Sequence, residues 1–288
     1  YIMVVPSCRS GEVNRTESEK IMAGGKGINV SIVLNNMGVE NTALGFISGF
    51  TGGAIENILA NMNCKTDFIK LDNGFSRINV KIKSDTETEI NGQGPDISDD
   101  AVKKLYEKLD SLNDGDTLVL AGSIPSSLSD SIYCEIMDYL KDKKLNIVVD
   151  ATKDLLVNVL KYKPFLVKPN NHEIGEIFGV ELKTRSEVVP YAKKMQEMGA
   201  KNVLVSMAGE GAVFVGENGE VYESEAPKGK LVNSTGAGDS MVAGFLAGYM
   251  EKQDFMYALK MGLSAGSASA FSENLATKEE VLNVFKTI

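Results

Sequence analysis

The stretch Asn233–Tyr249 constrains this chain more than any other. It opens as Asn233-Ser234-Thr235-Gly236-Ala237-Gly238-Asp239 and runs on as Ser240-Met241-Val242-Ala243-Gly244-Phe245-Leu246-Ala247-Gly248-Tyr249. The second part is apolar, nearly free of charge and long enough for a buried helix, which needs protein on every side. The first part is a small-residue turn at that helix's N-terminus. Such a turn offers unpaired backbone N–H groups and the positive end of the helix dipole, a setting that suits an anion. Gly236 and Gly238, with Ala237 between them, let the backbone approach a ligand closely. Asp239 has two readings. A carboxylate in the first turn is a good helix cap. Beside a bound phosphate it would instead be a general base that takes the proton of an attacking hydroxyl.

A second stretch, Gly24-Gly25-Lys26-Gly27-Ile28-Asn29-Val30, is again a glycine turn running into an apolar helix. The two turns, in this order, resemble the two signatures of the ribokinase-like sugar kinases, the PfkB carbohydrate kinase family. The resemblance covers nearly the whole chain. It implies an α/β fold with a mostly parallel central sheet, helices on both faces and a small β-sheet lid. It also implies ATP and Mg²⁺ as cofactors and a sugar-phosphate substrate.

Composition fits a globular protein and argues against some other classes. The chain has 288 residues, 43% of them hydrophobic, which is ordinary for a protein with a real core. The formal net charge of −9 argues against non-specific binding to nucleic acid or an anionic membrane. No apolar run reaches the length of a membrane span, and no signal peptide is read. Cys8, Cys64 and Cys134 are scattered without metal-ligand spacing, as expected in a reducing cytoplasm.

Along the chain, Tyr1 to Val5 and a stretch before Met22 read as strands, and Ile28 to Met37 reads as a helix stopped by Gly38. Thr42 to Phe46 reads as a strand and Gly52 to Asn63 as a helix. Arg77 to Lys83 alternates polar and apolar residues, the mark of a strand with one wet face, and Thr86 to Ile90 continues it. Helix and strand then alternate. Helices are predicted at Asp99 to Leu112, Ser129 to Lys141 and Ser186 to Met198. Strands are predicted at Thr117 to Ala121, Asn146 to Asp150, Phe165 to Lys168 and Asn202 to Ser206, with a hairpin around Asn218-Gly219. Apolar strands alternating with helices imply a parallel sheet covered on both faces. The expected organisation is one kinase domain over 1–288, with a lid formed by about 1–22 and 75–92. In the resembled family the lid covers the sugar site and often pairs with a second subunit, which implies a homodimer.

Lys26 is either an exposed loop lysine or a cation near a phosphorylated sugar, and Asn29 offers a donor and an acceptor to a hydroxyl. The resemblance carries Gly25, Lys26 and Asn29 to the sugar. Arg77 and Lys81, four apart on a strand, share a face. That face is either solvated or, as in the kinases of sugar phosphates, meets the phosphate already on the substrate. In Lys168-Pro169-Asn170-Asn171-His172-Glu173, Asn170 and Glu173 match the family's Asn-x-x-Glu motif, which implies Mg²⁺ held by Glu173 through water. Glu173 is alternatively an ordinary acid at a helix start. Lys168 is placed near the nucleotide phosphates, and His172 reads as a bystander. Ser206, Gly209 and Gly211 resemble the nucleotide loop, and Thr235 belongs to the same phosphate region. Ser264, with Ala265, Gly266 and Ser267, leaves room either for adenine or for close helix packing. Neither a Gly-x-Ser-x-Gly elbow nor a Walker-type loop is present.

Within the family, the runs Arg77–Lys81, Thr88–Asn91, Lys168–Glu173 and Val232–Met241 look most like the members that phosphorylate fructose 1-phosphate to fructose 1,6-bisphosphate. Tagatose-6-phosphate kinases are the alternative. A non-catalytic sugar-phosphate or nucleotide sensor on the same fold is a third reading. Family members begin with a strand ending in Asn-Pro-x-x-Asp, whose aspartate binds sugar hydroxyls; this sequence starts about where that motif ends.

Overall fold

A computed structural model describes residues 1–288, which form two compact units. The first comprises Tyr1–Gly24, Thr42–Glu107 and Pro125–Leu128. Its four-stranded sheet runs in the order Ser18–Lys20, Ile2–Val4, Asn79–Lys83, Thr88–Asn91. Ile2–Val4 is parallel to Asn79–Lys83, and the two outer pairings are antiparallel. Every residue of the edge strand Thr88–Asn91 is exposed. A separate parallel pair, Phe46–Ser48 and Ile69–Leu71, is linked by the helix Gly49–Asn61. Ile69, Ile97 and Ala101 form a small core there, joined by Phe46, Leu71, Val102, Leu105 and Leu128.

The second unit comprises Gly25–Asn41, Lys108–Ile124 and Ser129–Ile288. Its six-stranded sheet has the order Val221–Ser224, Ala212–Val215, Asn202–Ser206, Leu166–Val167, Asn146–Asp150, Thr117–Ala121. The last four are mutually parallel, and the first two form an antiparallel hairpin on the Asn202–Ser206 edge. Successive strand residues face opposite ways. Leu204 enters the core that the helices Lys26–Met37, Ala237–Lys252 and Phe255–Phe271 build through Val33, Phe245 and Leu259. Val203 and Val205 face the other side, where the helix Arg185–Glu197 lies against this strand and buries Val188, Ala192 and Met195. The sheet is therefore covered twice. No helix is long and apolar enough to cross a membrane.

Ala237–Lys252 is the buried helix. Asp239 through Gly248 are all buried. Its long partner is Phe255–Phe271, and glycines set the spacing between them. A Cβ on Gly244 would lie 2.5 Å from Met261 O, and one on Gly262 would lie 2.9 Å from Met241 O. The stripe that includes Ser264 is thus helix packing: Ser264 is 0% exposed, and its hydroxyl donates to Lys260 O of its own helix at 2.7 Å. That hydroxyl is engaged within its own helix, as the close-packing reading of Ser264 expects.

Several boundaries shift from those predicted. The strand expected at Thr42 to Phe46 lies at Phe46–Ser48, and Arg77 precedes its strand rather than opening it. The helix expected over Ser129 to Lys141 spans only Ile132–Tyr139. Ser129 Oγ accepts from Ser131 N, a local turn that competes with helix there. The helix from Asp99 ends at Leu109, where Ser111 Oγ donates to Lys108 O.

Candidate active site

In a parallel sheet of this kind, ligands gather beyond the carboxyl ends of the strands. Three such ends lie side by side here. Asp150 closes Asn146–Asp150, and Lys168 follows Leu166–Val167, its N–H donating to Val149 O at 3.1 Å. Asn170 bridges to Ser206, the last residue of Asn202–Ser206.

Two helices start at this edge. Gly25, at φ 112°, precedes Lys26–Met37, and Gly236, at φ 78°, precedes Ala237–Lys252. Both values lie where a Cβ is unfavourable, so glycine lets each turn deliver its helix start. Neither start has a side-chain cap. Ala237 N donates to Ser234 O at 3.3 Å, and the other N–H groups of the two first turns remain for another acceptor.

The side chains on these elements converge. Lys26 Nζ lies 2.8 Å from Asp150 Oδ1, and Lys168 Nζ lies 3.5 Å from the same oxygen. Lys168 also rests against the second turn: a Cβ on Gly238 would come within 3.4 Å of its Nζ. Asn29 Nδ2 donates to Asp239 Oδ2 at 2.7 Å. Asp239 is 7% exposed, and its donor stands on a different helix.

Electrostatics follow from this packing. Burial raises the Asp239 carboxyl above the ordinary aspartate range, and the neighbouring Asp150 adds to the rise. The Asn29 hydrogen bond, Lys26 and Lys168 pull the other way without cancelling it. Burial alone would depress Lys26, but Asp150, with Asp239 and Glu173 further off, holds its ammonium above the usual lysine range. Tyr133 is pushed up to about 12 by burial and by Asp150.

The remaining predicted residues divide. Asn170 and Glu173 form a capping box: Asn170 Oδ1 accepts from Glu173 N, and Glu173 Oε2 accepts from Asn170 N, both at 2.8 Å. The ordinary helix-start role of Glu173 is therefore real, and one of its oxygens is used in it. Gly211 is required by packing, since a Cβ would lie 2.0 Å from Ser224 O. Gly209, in the short 3-10 helix Ala208–Glu210, and Thr235, in the turn before Ala237–Lys252, are exposed, and Thr235 N donates to Asn233 Oδ1. His172 is exposed. In the first unit, Arg77 is exposed, whereas Lys81 is already matched by Glu89 at 2.7 Å and Glu87 at 2.9 Å. Two carboxylates on one ammonium weaken its case as a phosphate ligand.

Sequence reasoning missed Asp150. Its signal was a carboxylate ending an otherwise apolar central strand, Asn146-Ile147-Val148-Val149-Asp150, a place where charge needs a partner or a function.

The model of the pfkB family carbohydrate kinases matches residues 1–281. The chain belongs to this family. It is an ATP-dependent carbohydrate kinase. Over 281 residues the kinase is 48% identical to a 1-phosphofructokinase of Bacillus subtilis (strain 168), covering 98% of this chain and 92% of that one. It is 36% identical over 264 residues to a D-tagatose-1-phosphate kinase of Bacillus licheniformis, covering 91% and 86%. Phosphofructokinase-2 from Escherichia coli, solved with substrates and products, superposes with a TM-score of 0.92 at 23% identity, covering 99% and 94%. That last likeness concerns the fold.

Proposed function

We propose that the kinase transfers the γ-phosphoryl group of ATP to fructose 1-phosphate, giving fructose 1,6-bisphosphate and ADP. The observation that carries this reading is Asp239: a buried carboxylate in the first turn of an uncapped helix, beside two lysines. A raised pKa makes a carboxylate a stronger base toward a hydroxyl. Asp239 takes the proton of the acceptor hydroxyl as its oxygen bonds to the γ-phosphorus, and the bond from that phosphorus to the ADP oxygen breaks. Charge on the transferring group meets the N–H groups of the turn Gly236, Ala237, Gly238, together with Lys26 and Lys168. Asn29 orients Asp239.

In this reading Gly25, Lys26 and Asn29 face the sugar, and Arg77 binds the phosphate it already carries. Lys168, Asn170, Ser206, Gly209, Gly211 and Thr235 line the nucleotide side. The second unit gathers no cluster of three or more metal-ligating side chains, which fits an ion drawing most ligands from phosphate and water. Mg²⁺ bound near Glu173 would neutralise phosphate charge. A cytoplasmic homodimer joined through the four-stranded sheets completes the proposal.

The B. licheniformis relative redirects the alternative sugar from tagatose 6-phosphate to tagatose 1-phosphate, the same phosphate position as in the favoured substrate. A coupled assay of ADP release over fructose 1-phosphate, tagatose 1-phosphate, fructose 6-phosphate and tagatose 6-phosphate tests the assignment. The highest kcat/KM is expected with fructose 1-phosphate; preference for a 6-phosphate overturns it.

A further inference from the structure

Asp150 has no step in the transfer just described, yet it is 1% exposed and lies among the groups that perform it. Its Oδ1 is shared by Lys26 and Lys168, and its Oδ2 is buried without a hydrogen-bond partner. The two lysines come from separate segments, the first glycine turn and the end of a central strand, so chain connectivity does not pair them. The Lys26 side chain is 34% exposed and open to an arriving anion. Lys168 is buried, but its ammonium borders Gly238 at a helix N-terminus, a position that attracts anions. A phosphoryl group reaching this edge and the Asp150 carboxylate therefore compete for the same two ammoniums.

We infer that Asp150 is a positioning residue that stands in for phosphate: it engages Lys26 and Lys168 between turnovers and yields them to phosphoryl oxygens when ATP binds. An ammonium left unpaired in a half-buried site is poorly solvated, and a carboxylate in hydrogen-bond range removes that penalty. The pair is thus preformed at the correct place before substrate arrives. The same arrangement makes stray anions poor ligands, because each must displace a carboxylate already in position. It also weakens ground-state binding of ATP, whose charge approaches a like charge.

The inference rests on the reading that Lys26 and Lys168 meet phosphoryl oxygens, and the test separates the two. Binding of ATP in EDTA is measured calorimetrically for the native protein, Asp150→Asn, Lys26→Met and the double variant. Lys26→Met should bind about tenfold more weakly, as expected for loss of one close charge pair. Unchanged binding there defeats the phosphate reading and the inference with it. Asp150→Asn should bind metal-free ATP about tenfold more tightly. With metal present, its KM for ATP and its kcat should both fall, the pattern of a relieved ground-state opposition. Equal or weaker metal-free binding by Asp150→Asn overturns the inference alone, as does a loss confined to the metal-loaded state, which would make Asp150 a metal ligand. Should Asp150→Asn fail to fold, Lys26→Met and the double variant decide. Removing Asp150 still frees Lys168, so the double variant should bind several-fold more tightly than Lys26→Met, and identical affinities overturn the proposal.

Discussion

Asn29 donates to Asp239 across 2.7 Å, and this hydrogen bond joins the helices that follow the two glycine turns. Asn29 lies one turn into the first helix and Asp239 in the first turn of the second. The bond therefore fixes the orientation of the proposed base from outside its own helix, and helix capping is not what holds it.

Asp239→Asn should lower kcat by roughly 10²- to 10⁴-fold, because the amide keeps the hydrogen bond but accepts no proton. A variant retaining more than about a tenth of native turnover removes the base assignment. The effect on stability runs the opposite way. The folded-state pKa of Asp239 is raised, so the native state loses stability as pH climbs from the ordinary aspartate range through that raised value. Neutral asparagine escapes this loss. Asp239→Asn should melt at or above the native temperature at pH 7, and the gain should vanish at acid pH, where both proteins are neutral at this position. A lower melting temperature at pH 7 would restore the capping role.

Activity of the native enzyme should report the same group. kcat/KM is expected to fall as pH drops through the raised Asp239 pKa, so the acid limb lies above the ordinary carboxylate range. A pH–rate profile measured with saturating metal would show otherwise if the limb sat at an unperturbed aspartate value.

Arg77→Ala should raise KM for the sugar phosphate far more than KM for ATP, through loss of a charge-assisted phosphate contact. Lys81→Ala should do less, since Glu87 and Glu89 already satisfy that ammonium. Equal changes in both KM values for Arg77→Ala would contradict the assignment.

Gly244→Ala and Ser264→Ala test packing against ligand binding. A methyl group on Gly244 meets Met261 O at 2.5 Å, and overpacking of this kind destabilises by about 1–3 kcal/mol. Ser264→Ala removes a hydroxyl that bonds only its own helix in this structure, so KM for ATP should stay within about twofold of native. A stable Gly244→Ala, or a large rise in KM for Ser264→Ala, would return the stripe to the nucleotide site.

The four-stranded sheet leaves Ile90 58% exposed on an edge strand that has no buried residue. A homodimer is expected by light scattering at micromolar concentration, and Ile90→Glu should shift it toward monomer. A native monomer would count against assembly through this sheet.

Much of this site was legible because its chemistry is local. Each glycine turn is contiguous with the helix it starts, and each central strand declares itself by an unbroken apolar run. Thr117–Ala121, Asn146–Asp150 and Asn202–Ser206 appear at their predicted bounds for that reason. What escaped was pairing between segments. Nothing near Lys81 in the sequence tells whether its ammonium meets Glu89 across the strand pair or a substrate. Asp150 likewise gains meaning only when Lys26 and Lys168 fold against it. Ser264 shows a third difficulty: small residues read alike whether they make room for a ligand or for another helix.

Ten consecutive buried residues in the helix that carries Asp239 bear on how this enzyme would wear out. Backbone amides that lie deep in a core exchange with deuterium only when the surrounding cooperative unit opens. The base and its turn are fastened to such a segment, not to a fraying loop. Heat should accordingly abolish activity and amide protection of Ser240–Gly248 together, without an earlier stage in which the catalytic centre melts alone.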